Sequence, residues 1–270
     1  MTNSTVSDDE IDAVVKLRDQ GEFTSALAML QEIIRRTEDP ATRMLLLFHI
    51  LACSTQIEAS DVTENALKEL DQLPDAEVSR VLANSIRANA EIDLGRPQNA
   101  LAIIDLSLDT GYFDREDFRV HKYQLYLFKG KALERLKRWN EAFEWLEKAH
   151  AFFPSVASCP SDDARMIYSW AETEILFNEA RCMYGLNRYD EAYELSTKAF
   201  EREHGDLKTL AMMYMASCLV MQRRFSEALK LYLEVRHKLP CRVIQLDQLE
   251  EGIIRCMGEL SKLNPGSKPS

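Results

Sequence analysis

The chain holds 270 residues, 46% of them hydrophobic and 29% charged, which excludes a disordered or membrane-spanning protein on composition. Lys and Arg number 33 against 44 Asp and Glu, a formal net charge of −11, so neither nucleic acid nor an anionic membrane surface is an expected partner. With 9 Gly and 8 Pro, an all-β barrel or a Gly-rich nucleotide fold lacks its turn formers.

The first ten residues carry no basic segment and no apolar core, so no signal peptide is expected. Ser7 to Glu10 reads as a capping box opening a first helix, its acids at the positive end of the helix dipole. The longest apolar run, Met44 to Leu51, is far too short to span a bilayer. The cysteines Cys53, Cys159, Cys182, Cys218, Cys241 and Cys256 form no CxxC pair and predict reduced thiols in a cytoplasmic protein.

Four segments align on one pattern: Gly21 to Ala26, Arg138 to Ala142, Arg188 to Ala192 and Arg224 to Ala228. Each places an aromatic three residues before an alanine, with Thr24, Asn140, Asp190 or Ser226 between them as the expected helix N-cap. The helix after Ala142 carries Phe143, Leu146, Ala149 and Phe153 on one stripe. The helix after Ala228 carries Leu229, Tyr232, Val235 and Leu239 likewise. Pro154 and Pro240 are expected to stop these two helices. Another helix precedes each aromatic. Small residues recur twelve positions before the alanine at Ala88, Gly130, Ala180 and Ala216, where two antiparallel helices can approach closely.

These residues resemble the tetratricopeptide repeat family, whose pattern sets a small residue, Gly, an aromatic, Ala, a large apolar residue, Ala and Pro at set spacings. Gly130, Trp139, Ala142, Leu146, Ala149 and Pro154 match it best. Ala216, Phe225, Ala228, Tyr232, Val235 and Pro240 follow, and Ala180, Tyr189, Ala192 and Ala199 match except that His204 replaces the proline. Gly95, Pro97 and Ala100 mark a weaker unit, and Ala66 marks one placed by its neighbours. The marker alanines Ala26, Ala66, Ala100, Ala142, Ala192 and Ala228 lie 40, 34, 42, 50 and 36 residues apart, against about 34 in the family. The surplus includes Asp109 to Asp117 and Ser155 to Asp163, and predicts longer first helices or ordered loops.

The resemblance implies an all-α fold, a right-handed superhelical solenoid of about six tetratricopeptide-like helix–turn–helix repeats plus a C-terminal capping helix. The expected boundaries are a flexible N-terminus over 1–7, the solenoid over 8–240, the capping helix over 241–263 and a disordered tail over 264–270. In the cap, Val243, Leu246, Leu249, Ile253, Met257 and Leu260 trace one face, and Asp247, Gln248, Glu251 and Arg255 make a polar outer face.

In the family, first helices line a concave groove. Carried over by repeat position, the groove residues are Gln124, beside Leu82, Glu174 and Leu210, then Leu127, Phe177 and Met213, beside Ser85. A polar row of Asn89, Lys131, Arg181 and Ser217 follows, with Tyr184 and Arg135 extending the rim. The resemblance thus implies a non-catalytic protein–protein interaction module: an adaptor, scaffold or assembly factor holding a partner peptide or helix. Lys131 and Arg181 could orient an acidic or C-terminal carboxylate group. The alternative pairs these cations with Glu134 and Glu174, and puts Leu127, Phe177 and Met213 in the core. Homo-oligomers are a further partner class. The family's carboxylate clamp for chaperone tails is not carried over: Lys131 and Asn178 fit it, while Leu127, Glu174, Leu210 and Tyr214 depart from it.

No HExxH, Walker loop, GxSxG or GxGxxG occurs, so no metal, cofactor or catalytic residue is expected. His150 and His237 are expected near helix C-termini, and Cys182 and Cys218 in packing roles. Two other readings stand beside the interaction module. One is a regulatory sensor whose superhelix responds to a small ligand or signalling peptide. The other is an enzyme using Asp162, Asp163 and His150 around the insert before Ala192.

Overall fold

The structure is a computed structural model describing residues 6–57, 59–73, 77–111, 119–157, 162–202, 205–239 and 246–263. Residues 1–5, parts of both insertions, Cys159, His204, Pro240, Cys241, Val243 and the tail from 264 lie outside the described residues, as do the side chains of Leu82, Asp162, Asp163 and Trp170. The described residues form thirteen α-helices and no strand. They divide into two compact units that part between Arg135 and Leu136.

The first unit holds α1 (Asp8–Asp19), α2 (Phe23–Arg35), α3 (Pro40–Gln56), α4 (Ser60–Leu70), α5 (Glu77–Asp93), α6 (Pro97–Asp109) and α7 (Arg119–Arg135). Each helix packs on the next, and α5 also lies beside both α3 and α7. The second unit holds α8 (Trp139–Ala157), α9 (Asp162–Gly185), α10 (Tyr189–Arg202), α11 (Gly205–Met221), α12 (Phe225–His237) and α13 (Leu246–Leu263). Its helices also pack in succession, and α13 rests on both α11 and α12. The fold is therefore all-α, built from tetratricopeptide-like helix hairpins stacked within each unit.

One repeated turn makes the hairpins. A residue with positive φ ends the first helix: Gly21 (73°), Gly95 (73°), Asn187 (61°) and Arg223 (62°), and Lys137 (58°) takes the same conformation just before α8. The next residue closes that helix from outside, since the N–H groups of Glu22, Arg96, Arg188 and Arg224 each reach back five residues to Leu17, Glu91, Met183 and Leu219 at 2.8–2.9 Å. The carbonyl of the same residue opens the second helix. Those of Glu22, Arg96, Arg138, Arg188 and Arg224 accept from the N–H of Ala26, Ala100, Ala142, Ala192 and Ala228. This shared residue ends one helix and starts the next, which is why aromatic and alanine keep a constant spacing. All five alanines are buried.

The helix starts differ from expectation. Helices α2, α8, α10 and α12 begin at the aromatic itself, so Thr24, Asn140, Asp190 and Ser226 sit inside the first turn and are not N-caps. The first turns of α8, α10 and α12 are braced by arginine forks instead: Arg138 Nε and Nη2 bond Glu141 at 2.7 and 2.5 Å, and Arg224 bonds Glu227 at 2.8 and 2.6 Å. Arg188 pairs with Glu191 in the same way. The box at the start of α1 forms as expected, the Glu10 carboxylate accepting from the Ser7 N–H at 3.1 Å.

Pro154 does not stop α8, which continues to Ala157. The proline falls in the last turn, where it removes only one main-chain donor. His150 consequently lies within the helix and not at its end. Helix α9, at 24 residues, takes up part of the surplus before Ala192. The cap also differs. Leu249, Ile253 and Cys256 are buried, but Leu246 and Met257 are exposed together with Ile254. Tyr232 of α12 packs against Gly252 of α13.

Candidate functional site

In the first unit, α3, α5 and α7 lie side by side and enclose a cleft of about 60 Å³. Its walls are Phe48, Leu51 and Thr55 of α3, Ser85 and Asn89 of α5, and Gln124 and Phe128 of α7. Phe48 stands at the surface, 37% exposed. Lys131 lies beside the cleft with Nζ 3.4 Å from Asn89 Oδ1 and 5.4 Å from the centre of the Phe128 ring. Asn89 Nδ2 lies 3.4 Å from Asp93 Oδ2, and Gln124 Oε1 lies 3.2 Å from His121 Nδ1. The arrangement joins aromatic walls to amides and a cation, groups that can hold an apolar side chain and orient a carbonyl or carboxylate.

Of the residues carried over from the family, Asn89, Lys131 and Gln124 meet at this cleft. Leu127 does not: it is 0% exposed, so it is core, and Phe128, one position on, lines the cleft instead. Phe177 and Met213 are also buried, Phe177 lying 5.9 Å from the Tyr214 ring. Ser217 is turned inward, with its hydroxyl donating to Met213 O at 3.0 Å and lying 3.2 Å from Tyr232 Oη. Tyr184 packs edge-on against Tyr189, which binds it to α10. Arg181 is half-buried on α9, and Arg135 is exposed at the end of α7. Asn178 is buried and donates to the Glu174 carbonyl at 2.7 Å, so its amide serves α9 itself.

Phe48, Leu51 and Thr55 were not anticipated. Ser54, the small residue twelve positions before Ala66, carries their signal. Aligned on Ser54, these three occupy the positions of Leu82, Ser85 and Asn89 in the next hairpin.

The second unit has a larger cleft of about 680 Å³ between α8, α9 and α10. Phe143, Leu176, Met183 and Leu195 make its apolar part, and Glu147, Glu194 and Lys198 line it with the paired Arg202 and Glu172. Glu179 is buried in its wall and lies 3.1 Å from His150 Nδ1. The Glu179 hydrogen bond holds the His150 pKa above its ordinary value, outweighing the opposite effect of burial. His150 therefore partners a glutamate of the neighbouring helix.

The described thiols are packing groups. Cys53, Cys182, Cys218 and Cys256 are buried, and burial pushes the Cys218 pKa up to about 12. No described helix is long and apolar enough to cross a membrane.

The fold is that of an all-α helical-repeat protein. No family model matches the chain, and no curated protein matches it. Among solved structures it is similar to one described as "TPR2AB-domain:pHSP90-complex of yeast Sti1", at 14% identity and a TM-score of 0.37, over 93% of this chain and 98% of that one. The helical-repeat class rests on the repeated turn and the stacked hairpins.

Proposed function

We propose that this chain is a non-catalytic interaction module whose α3/α5/α7 face holds a segment of a partner protein. The observation behind this reading is the cleft with Phe48 at its mouth, amides on its walls and Lys131 beside it. An apolar side chain of the partner enters the cleft, and a carboxylate next to it in the partner meets Lys131 and Asn89. The volume suits one small side chain, so contacts along the face supply most of the affinity. The test is capture of partners from extract with the wild-type chain, repeated with Phe48→Asp and Lys131→Glu. Loss of the same partner with both variants, at unchanged helicity, is expected. Retention with both sinks the reading.

The larger cleft favours a second reading, a regulatory sensor. Its volume suits a small molecule, and its apolar floor with surplus carboxylates suits an organic cation. Thermal shift across a panel of amines tests it. A rise in Tm that Glu194→Gln removes is expected, and an unmoved Tm across the panel dismisses it.

A further inference from the structure

One side of α9 faces the larger cleft through Leu176, Glu179 and Met183, spaced at helical intervals. All three are buried, so a carboxylate stands between two apolar side chains. A carboxylate so far removed from water needs a positive partner. Among the described residues Glu179 has one, His150, whose Nδ1 lies 3.1 Å from Oε1. The two partners are unequally placed. The side chain of Glu179 is 6% exposed and that of His150 is 43% exposed. The imidazole can turn out to solvent by a change of rotamer, whereas the carboxylate stays in the wall.

The charges around His150 come from all three helices. Glu147 stands on α8, Glu172 of α9 is bonded to Arg202 of α10, and Glu194 and Lys198 also belong to α10. Glu191, held by Arg188, completes the lining. Its five glutamates outnumber Lys198, Arg202 and His150 together, so the cleft favours a cation whether or not His150 carries a proton.

Resting on the sensor reading of this cleft, we infer that Glu179 is the carboxylate that receives the ligand's ammonium or guanidinium, and that the ligand displaces His150 from it and thereby expels a proton. Without a ligand, Glu179 holds the proton on His150, whose pKa lies above the ordinary value. The incoming cation takes over Glu179. The imidazole, left beside a second positive charge, gives its proton to the solvent. Proton and ligand compete for one carboxylate, so affinity falls as pH drops through the ligand-free His150 value. The cleft thus answers to acidity as well as to its ligand.

The test is isothermal titration calorimetry of the full chain with 2-phenylethylamine and with agmatine, at pH 8 and pH 5.5 and in buffers of different ionisation enthalpy. Affinity for at least one of these cations is expected to fall about tenfold or more between pH 8 and pH 5.5, with proton release to the buffer near pH 7. His150→Gln is expected to bind about equally at both pH values and to release no proton. Glu179→Gln is expected to weaken binding at pH 8 about tenfold or more, at unchanged helicity. Wild-type binding that is equal at both pH values overturns the inference and leaves the sensor reading in place. So does a His150→Gln chain that keeps the wild-type pH dependence, or a Glu179→Gln chain that binds as wild type does. Absence of binding by both cations at both pH values overturns the inference and the sensor reading together.

Discussion

The indole of Trp139 lies directly on Gly185: a Cβ added to the glycine would stand 2.5 Å from the ring carbon Cε2. Tyr232 meets Gly252 in the same way, with Cζ 2.6 Å from the added carbon. In both cases an aromatic of a second helix presses on a glycine in the helix that follows. Gly185→Ala and Gly252→Ala are each expected to cost about 1–3 kcal/mol by overpacking. Gly258→Ala, with open space around it, is expected to gain up to about 1 kcal/mol of helix propensity. Urea denaturation of the three variants measures the contrast.

Lys137, just before α8, has φ of 58°, a conformation that Gly21 and Gly95 take in the hairpin turns. A Lys there carries left-handed strain, which glycine relieves at some cost in unfolded-chain entropy. Lys137→Gly is expected to stabilise the protein by about 0.5–1 kcal/mol net. A lowered urea midpoint would contradict this.

His49 is buried and accepts a hydrogen bond from Arg18 Nη1 at 2.7 Å. Burial first, and the Arg18 charge second, push its pKa down from 6.5 to about 4. The folded state therefore resists a proton that the unfolded state takes up. This contribution is complete above pH 6.5 and disappears as pH falls towards 4, a change of about 3 kcal/mol. His49→Gln keeps an acceptor for Arg18 and is expected to flatten the loss of stability over that window. An unchanged acid slope would show that other groups carry it.

His150 acts in the opposite sense. Its pKa is raised by Glu179, so the stabilisation is complete below the unfolded value of 6.5 and is lost as pH rises through the folded value. The difference in Tm between wild type and His150→Gln is expected to be larger at pH 5.5 than at pH 8. Equal differences at both would rule out the ion pair as its source.

Leu127 and Phe48 separate core from face. Leu127→Ala leaves a cavity and is expected to cost about 3–5 kcal/mol. Phe48→Ala, at a residue 37% exposed, is expected to cost less stability and to remove partner capture. Denaturation and capture assays on the pair read the two effects apart.

Spacing of aromatic, alanine and small residue locates the hairpins, because the shared turn residue leaves no freedom in the distance from helix end to helix start. The buried alanines follow from the same constraint. The partner face was only partly legible. Asn89, Lys131 and Gln124 came from repeat position, while Phe128 replaced Leu127 because repeat position gives a helix's phase only to about one residue. The three α3 residues were hidden by a hairpin lacking the aromatic marker.

What the sequence determined by itself was the succession of helices, their pairing through the repeated turn, and the small residues that let them approach. These depend on neighbours close along the chain. Tertiary structure alone decided that Lys131 reaches Asn89 across 42 residues, that His150 finds Glu179 across 29, and that Leu246, Ile254 and Met257 face solvent. Each outcome depends on how far a helix is rotated about its axis, and packing against the adjacent helices sets that rotation.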